Sequence, residues 1–230
     1  MNRTLEKAIA AYGGRERWQN TQKIEAEVSV QGWAFTLKRR PFFKHAYISM
    51  EVARPYSRIT PIGKRKHVAG VLDGHDVRLE DEQGNVLAER KDARAYFPGG
   101  RRLLWWDDLD MSYFANYAFW NYFTLPALLM RNDIDWRELA PGLLEAKFPP
   151  QIPTHNPIQR FRFDTESGLL IQHDYTAEII SKLATAAHVI HEHRDGYPSN
   201  RLVTPRSPKG KALAVPKLIA IQVHDFKTFD

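Results

Sequence analysis

Five of the chain's nine histidines fall between residues 155 and 193: His155, His173, His188, His191 and His193. Histidine exchanges a proton or offers a metal a lone pair at neutral pH, so this stretch is the first place to look for chemistry. The HEH triplet at 191–193 reads as strand. That puts His191 and His193 on one face with Ala187 and Val189, and His188 with Glu192 on the other. A His-x-His pair needs a third nitrogen or carboxylate to hold zinc or iron, and His173 or Asp174 in the preceding extended run could face it. HxH recurs by chance and no acidic residue completes a known spacing, so no metal is expected; His191 and His193 are the alternative metal pair. His173, Asp174 and Glu178 form a second, metal-free set. A carboxylate in an apolar cavity has a raised pKa and moves protons at neutral pH. As catalytic residues they would serve a cofactor-free isomerase, cyclase or lyase acting on an apolar substrate. The plainer reading of the same residues is the solvated face of an antiparallel sheet.

Aromatic residues give the second signal. Residues 96–123 hold 11 of the 27 Phe, Trp and Tyr side chains, and residues 111–130 carry no charge. The polar residues Ser112, Asn116, Asn121 and Thr124, with Pro126, argue against a bilayer span. A buried helix filling the concave face of a sheet is the structural reading. The functional reading is a helix whose Trp105, Trp106, Tyr113, Tyr117, Trp120 and Phe123 line a cavity for a hydrophobic small molecule or lipid.

Charge gives the third. Lys and Arg outnumber Asp and Glu by 33 to 27. The excess gathers in residues 31–70, where Lys38, Arg39, Arg40, Lys44, Arg54, Arg58, Lys64, Arg65 and Lys66 stand against Glu51 alone. An edge facing water or an anionic membrane surface is expected there. Nucleic acid is not, because the aromatics lie elsewhere and no recognisable motif is present. With no cysteine, disulfides, thiolate metal sites and cysteine nucleophiles are excluded. GxGxxG, the P-loop, GxSxG and HExxH are also missing, so no cofactor is expected.

The elements that must position these residues follow from periodicity. Residues 3–20 read as helix broken at Gly13-Gly14. From Lys23 the period becomes two: Ile24, Ala26, Val28 and Val30 alternate with polar residues, and Phe35 and Leu37 extend the strand. Further strands are predicted near 44–53, 56–62, 66–72, 75–80 and 85–90, joined by short turns. Asp107, Asp108 and Asp110 precede the aromatic run where a helix N-terminus favours them, predicting a helix of about 109–124 and a shorter one after Pro126. Strands return at 143–148, 159–164, 169–175, 183–193, 201–204 and 218–226, with a Pro- and Lys-rich loop at 205–217. No linker divides the chain, so residues 1–230 are expected to form a single domain. Residues 1–12 contain no unbroken apolar stretch of the secretory kind, which favours a cytoplasmic location unless a signal was removed.

Three stretches carry a resemblance: AYGGRERW at 11–18 leading into a long alternating strand, RFDTESGLLIQHDY at 162–175, and LIAIQVHDF at 218–226. In this order they resemble bacterial proteins of the LolA/LppX-like lipoprotein-carrier superfamily. The resemblance implies an incompletely closed antiparallel barrel, helices plugging its opening and an apolar cavity. The expected fold class is therefore α+β: a large curved antiparallel sheet with helices in its concave face. Binding of a hydrophobic small molecule or acyl chain there is the leading function.

Overall fold

The computed structural model describes residues 3–63, 65–97 and 100–230. Helices α1 (Arg3–Ala11) and α2 (Gly14–Asn20) open the chain, separated at Gly13, whose φ of 101° suits glycine. Six strands then run as an antiparallel meander: β1 (Lys23–Gln31), β2 (Phe43–Glu51), β3 (Tyr56–Thr60), β4 (Ala69–Asp73), β5 (Asp76–Glu80) and β6 (Val86–Arg90). After α4 (Asp108–Phe123) and α5 (Leu125–Leu128) come β7 (Asp135–Ala140), β8 (Leu143–Lys147), β9 (Ile158–Phe163), β10 (Leu170–Thr176), β11 (Thr185–Arg194), β12 (Tyr197–Pro205) and β13 (Ile219–Phe229). All 13 strands belong to one sheet, ordered β6-β5-β4-β3-β2-β1-β13-β12-β11-β10-β9-β8-β7.

This order fixes where the helices go. The first strand pairs with the last, from Lys23 opposite Phe229 to Gln31 opposite Ala220. The consecutive strands β6 and β7 therefore become the two edges of an unclosed sheet. The chain between them must cross from one edge to the other, and α4 makes that crossing over the inner faces of β3, β4 and β5. From Met111 onward it carries no charge and is buried on nearly every side. Its start is a capping box: Asp107 accepts the Asp110 N–H at 2.8 Å, and Asp110 accepts the Asp107 N–H at 3.1 Å. Asp110 is fully buried and takes Arg90 at 2.6 Å and Arg102 at 2.7 Å.

Two local expectations change. Residues 33–37 are not strand but a short helix, α3 (Trp33–Leu37). At Gly32 any Cβ would overlap the Leu218 carbonyl, so the chain turns off the sheet there and the Ala34 N–H bonds Leu218 O at 3.1 Å. Strand β7 was not expected. As an edge strand exposed on most positions, it carries no alternation of apolar and polar residues to read.

Candidate functional site

The inner faces of β10–β13 curve away from α4 at one end, leaving a pocket of about 320 Å³. Its floor is Phe114 of α4 and Tyr175 of β10; Ala186, Val203 and Ile219 supply the sheet wall. Leu37 of α3 and Leu183 of the 177–184 segment form the rim, and Leu183 is 88% exposed. Almost the whole lining is aliphatic or aromatic. The Lys38 ammonium lies on the border, 5.1 Å over the Trp106 ring, bonded at 2.9 Å to Arg102 O.

Beneath Tyr175 lies a buried layer of imidazoles and phenols. His155 binds the Tyr117 hydroxyl through Nδ1 at 3.0 Å and the Tyr122 hydroxyl through Nε2 at 2.8 Å. A neutral imidazole has one donor and one acceptor, so one phenol donates to it and the other accepts from it. Tyr122 also meets the Tyr175 hydroxyl at 3.2 Å, and Tyr175 stacks on His155 with centroids 3.8 Å apart. His173 Nε2 donates to Gln159 Oε1 at 2.6 Å. His188 pairs with His173 across the β10–β11 ladder and packs edge-on to Tyr122, but neither of its nitrogens has a partner among the described residues. Burial pushes all three imidazoles far below the ordinary histidine value, His173 to about 3, with the nearby Arg201 charge adding to the shift in His173 and His188. Burial likewise drives the Tyr117, Tyr122 and Tyr175 hydroxyls upward. At neutral pH the layer is uncharged apart from Arg201.

On the other side of this layer, Arg201 of β12 and Phe123 reach a second cleft, of about 170 Å³, between α1, α2, α5 and the β11–β12 hairpin. Val203 faces the mouth pocket and Arg201 the second cleft, two residues apart on one strand. The histidine–tyrosine layer separates the two spaces.

Over nearly its whole length the chain superposes on a LolA superfamily protein from Nitrosomonas europaea, with a TM-score of 0.52 at 9% identity, covering 99% of this chain and 92% of that one. The fold is LolA-like. A DUF1329 family protein from Desulfovibrio piger aligns at a TM-score of 0.48 and 11% identity over 98% of this chain and 91% of its own. No protein-family model matches the sequence, and neither does any curated protein. The resemblance drawn from the 11–18, 162–175 and 218–226 stretches thus holds as one of fold.

Within the LolA-like frame the six aromatics singled out from sequence are not gathered round one cavity. Phe123 lines the second cleft and Trp106 only a side pocket of about 10 Å³. Tyr113, Tyr117 and Trp120 are packed into the core, Trp120 with its indole N–H on Glu51 O at 2.8 Å. Trp105 is half-buried, with the Arg40 guanidinium 5.7 Å over its ring. The mouth pocket is instead built from Phe114, Tyr175 and mainly aliphatic residues of β11–β13, α3 and the 177–184 segment. The alternation of β10–β13 contains these positions, but nothing local marks them.

His173, Asp174 and Glu178 do not converge either. His173 points inward, whereas its neighbour Asp174 lies under the 205–217 loop, accepting from Gln172 at 2.6 Å with Arg162 at 3.6 Å. Burial raises the Asp174 pKa despite these partners. Glu178 is exposed and paired with Arg94 at 3.0 Å. The expected shared face of His191 and His193 fails because the β11–β12 register slips between Ile190 and Glu192 and again before His193. His191 is left exposed and His193 half-buried. Among the described residues no three His, Asp or Glu side chains are grouped to hold a metal. The 205–217 loop is pinned back on itself by the Ser207 N–H on Lys211 O and the Leu213 N–H on Pro205 O, both at 2.9 Å. Part of the basic stretch pairs with acids from later in the chain, Arg40 with Asp108, Arg54 with Asp73 and Arg58 with Glu80, and Arg54 also holds Glu51 within the stretch.

Proposed function

We propose that this protein binds a hydrophobic small molecule or acyl chain in the mouth pocket of its open barrel. The observation that carries this reading is the pocket itself: about 320 Å³, walled by Phe114, Tyr175, Ala186, Val203 and Ile219, and open past exposed Leu183. Apolar concavity with a few polar groups at its border is the usual form of a small-molecule site. Burying an acyl chain there would gain roughly 0.8 kcal/mol per methylene. Exposed leucine at the rim would be covered by the same event. A fold shared with a LolA superfamily protein is consistent with this use of the concave face but does not choose the ligand.

Among the described residues the titratable groups lining the pocket are the Tyr175 phenol, held protonated by burial, and Lys38 at the border, and the rest of the lining is suited to retaining an apolar ligand. Titration with a dansylated undecanoic acid tests the reading. Saturable fluorescence enhancement is expected, weakened at least tenfold in Ala184→Trp, whose indole would fill the pocket from its half-buried rim position. Enhancement that is absent, or unchanged in Ala184→Trp, would overturn it.

A further inference from the structure

The second cleft contains a group that the mouth pocket does not explain. Arg201 is 2% exposed and lines that cleft, yet among the described residues no carboxylate comes within ion-pair distance. Its Nε donates to Pro198 O at 3.2 Å, and its Nη2 has no partner among the described residues. Buried arginines are nearly always paired, because an uncompensated charge out of water costs several kcal/mol. Here the guanidinium lies against the rings of Phe123 and Tyr122, with centroids 5.2 and 5.5 Å away. Burial lowers its pKa to about 10, which leaves it fully charged at neutral pH.

The surroundings suit an anion with an apolar body. Tyr12 lines the cleft, and its hydroxyl accepts the Leu170 N–H at 3.1 Å, so its own hydrogen remains to be donated. Above Arg201 the wall is Phe226, stacked with Tyr197 at 4.7 Å, and Leu125 of α5. Arg17 and Asp195 stand at the rim as one cation and one anion. The charge that is out of balance is therefore the buried one.

We propose that this cleft is a binding site for a small organic monocarboxylate, gripped by Arg201 at its floor and by Tyr12, with its hydrocarbon or ring against Tyr197 and Phe226. A carboxylate matches the planar guanidinium, and the aromatic wall disfavours a fully hydrated ion such as phosphate. The site is separate from the mouth pocket and does not depend on the reading given for it.

Calorimetric titration of the whole protein with phenylacetate at pH 7 should show saturable one-to-one binding, at least tenfold weaker for the neutral phenylacetamide. Arg201→Met should abolish phenylacetate binding while raising the Tm of the free protein, since it replaces an unpaired buried charge by an apolar chain of similar length. Tyr197→Ala, on the half-buried rim, should weaken binding severalfold with little change in Tm; it carries the test if Arg201→Met does not fold. Ala184→Trp, which blocks the mouth pocket, should bind phenylacetate as the parent does. No saturable binding, equal binding of the amide, or competition by equimolar inorganic phosphate would overturn the proposal.

Discussion

At the scale of single residues, the molecule's most unusual feature is a buried layer of three neutral imidazoles. The sequence showed the crowding of histidines between 155 and 193 but paired the wrong ones. Spacing within one strand links His191 to His193, whereas the ladder sets His173 against His188, and His155 arrives from the loop before β9. His191 stays on the outer face that alternation gives it, and the register slip after Ile190, invisible in composition, takes His193 off that face. The layer makes stability depend on pH in a defined direction. In the unfolded chain these histidines titrate near 6.5, whereas burial holds His173 at about 3 and His155 and His188 well below their ordinary value. Below about pH 6.5 the unfolded state binds protons that the folded state refuses, so stability is complete above that pH and falls as the pH drops toward 3. Each group contributes up to about 1.4 kcal/mol per pH unit. Urea midpoints should therefore fall steeply between pH 7.5 and 5.5. His188→Leu removes an imidazole with no hydrogen-bond partner and should stabilise the protein by about 1 kcal/mol at pH 7.5. It should also flatten the pH slope by about a third. A slope unchanged in that variant would mean that His188 takes up its proton in the folded state at the same pH as in the unfolded chain.

Among the elements, α4 was the most legible. Its three preceding aspartates, its lack of charge and Pro126 predicted boundaries within a residue or so of Asp108–Phe123. Those features are local, and the capping box and the proline act locally. Which aromatics would line a cavity was not legible, because that depends on how closely the sheet approaches each turn of the helix. Gly70 of β4 shows how close the approach is. A Cβ there would overlap the Ser112 hydroxyl and lie 2.8 Å from Ser112 Cβ, and the Gly70 carbonyl accepts Asn116 Nδ2 at 3.1 Å. Helix and strand meet backbone to side chain with no spare volume. Gly70→Ala should cost about 1–3 kcal/mol in urea unfolding, as overpacking does. Ser112→Gly alone should cost about 0.5 kcal/mol by helix propensity. If the contact is as described, the double variant is more stable than Gly70→Ala by itself. A double variant in which the two costs simply add would place the strain elsewhere.

For the whole molecule, the decisive feature is the pairing of the first strand with the last. Hairpins and turns were readable because each joins neighbours in sequence, and the antiparallel α+β class followed from their number. The β1–β13 ladder joins residues about two hundred positions apart and leaves no local mark. The ion pairs that neutralise Arg40, Arg54 and Arg58 were hidden for the same reason, since each acid comes from a different element. In this topology β13 is the central seam: it joins the β1–β6 meander to the β7–β12 meander and supplies Ile219 to the mouth pocket. The helix α4 lies over β3, β4 and β5 and reaches β10–β12 through single side chains, Tyr122 meeting Tyr175, His188 and Arg201, so the backbone pairing of the second half depends on β13. Closing so long a loop is the entropic cost that the final strand must offset, which also predicts slow folding. A chain ending at Lys217 should therefore lose the cooperative urea transition, bind a hydrophobic dye such as ANS through its exposed inner faces, and fail to enhance dansyl-undecanoate fluorescence. A synthetic peptide of residues 218–230 added to that chain should restore part of the near-ultraviolet circular dichroism, because the seam needs only one strand with both neighbours ready to pair. A truncated chain that still unfolds in one cooperative step would mean that the β1–β6 half with α4 is the independent folding unit, and that the mouth pocket is assembled on it afterwards.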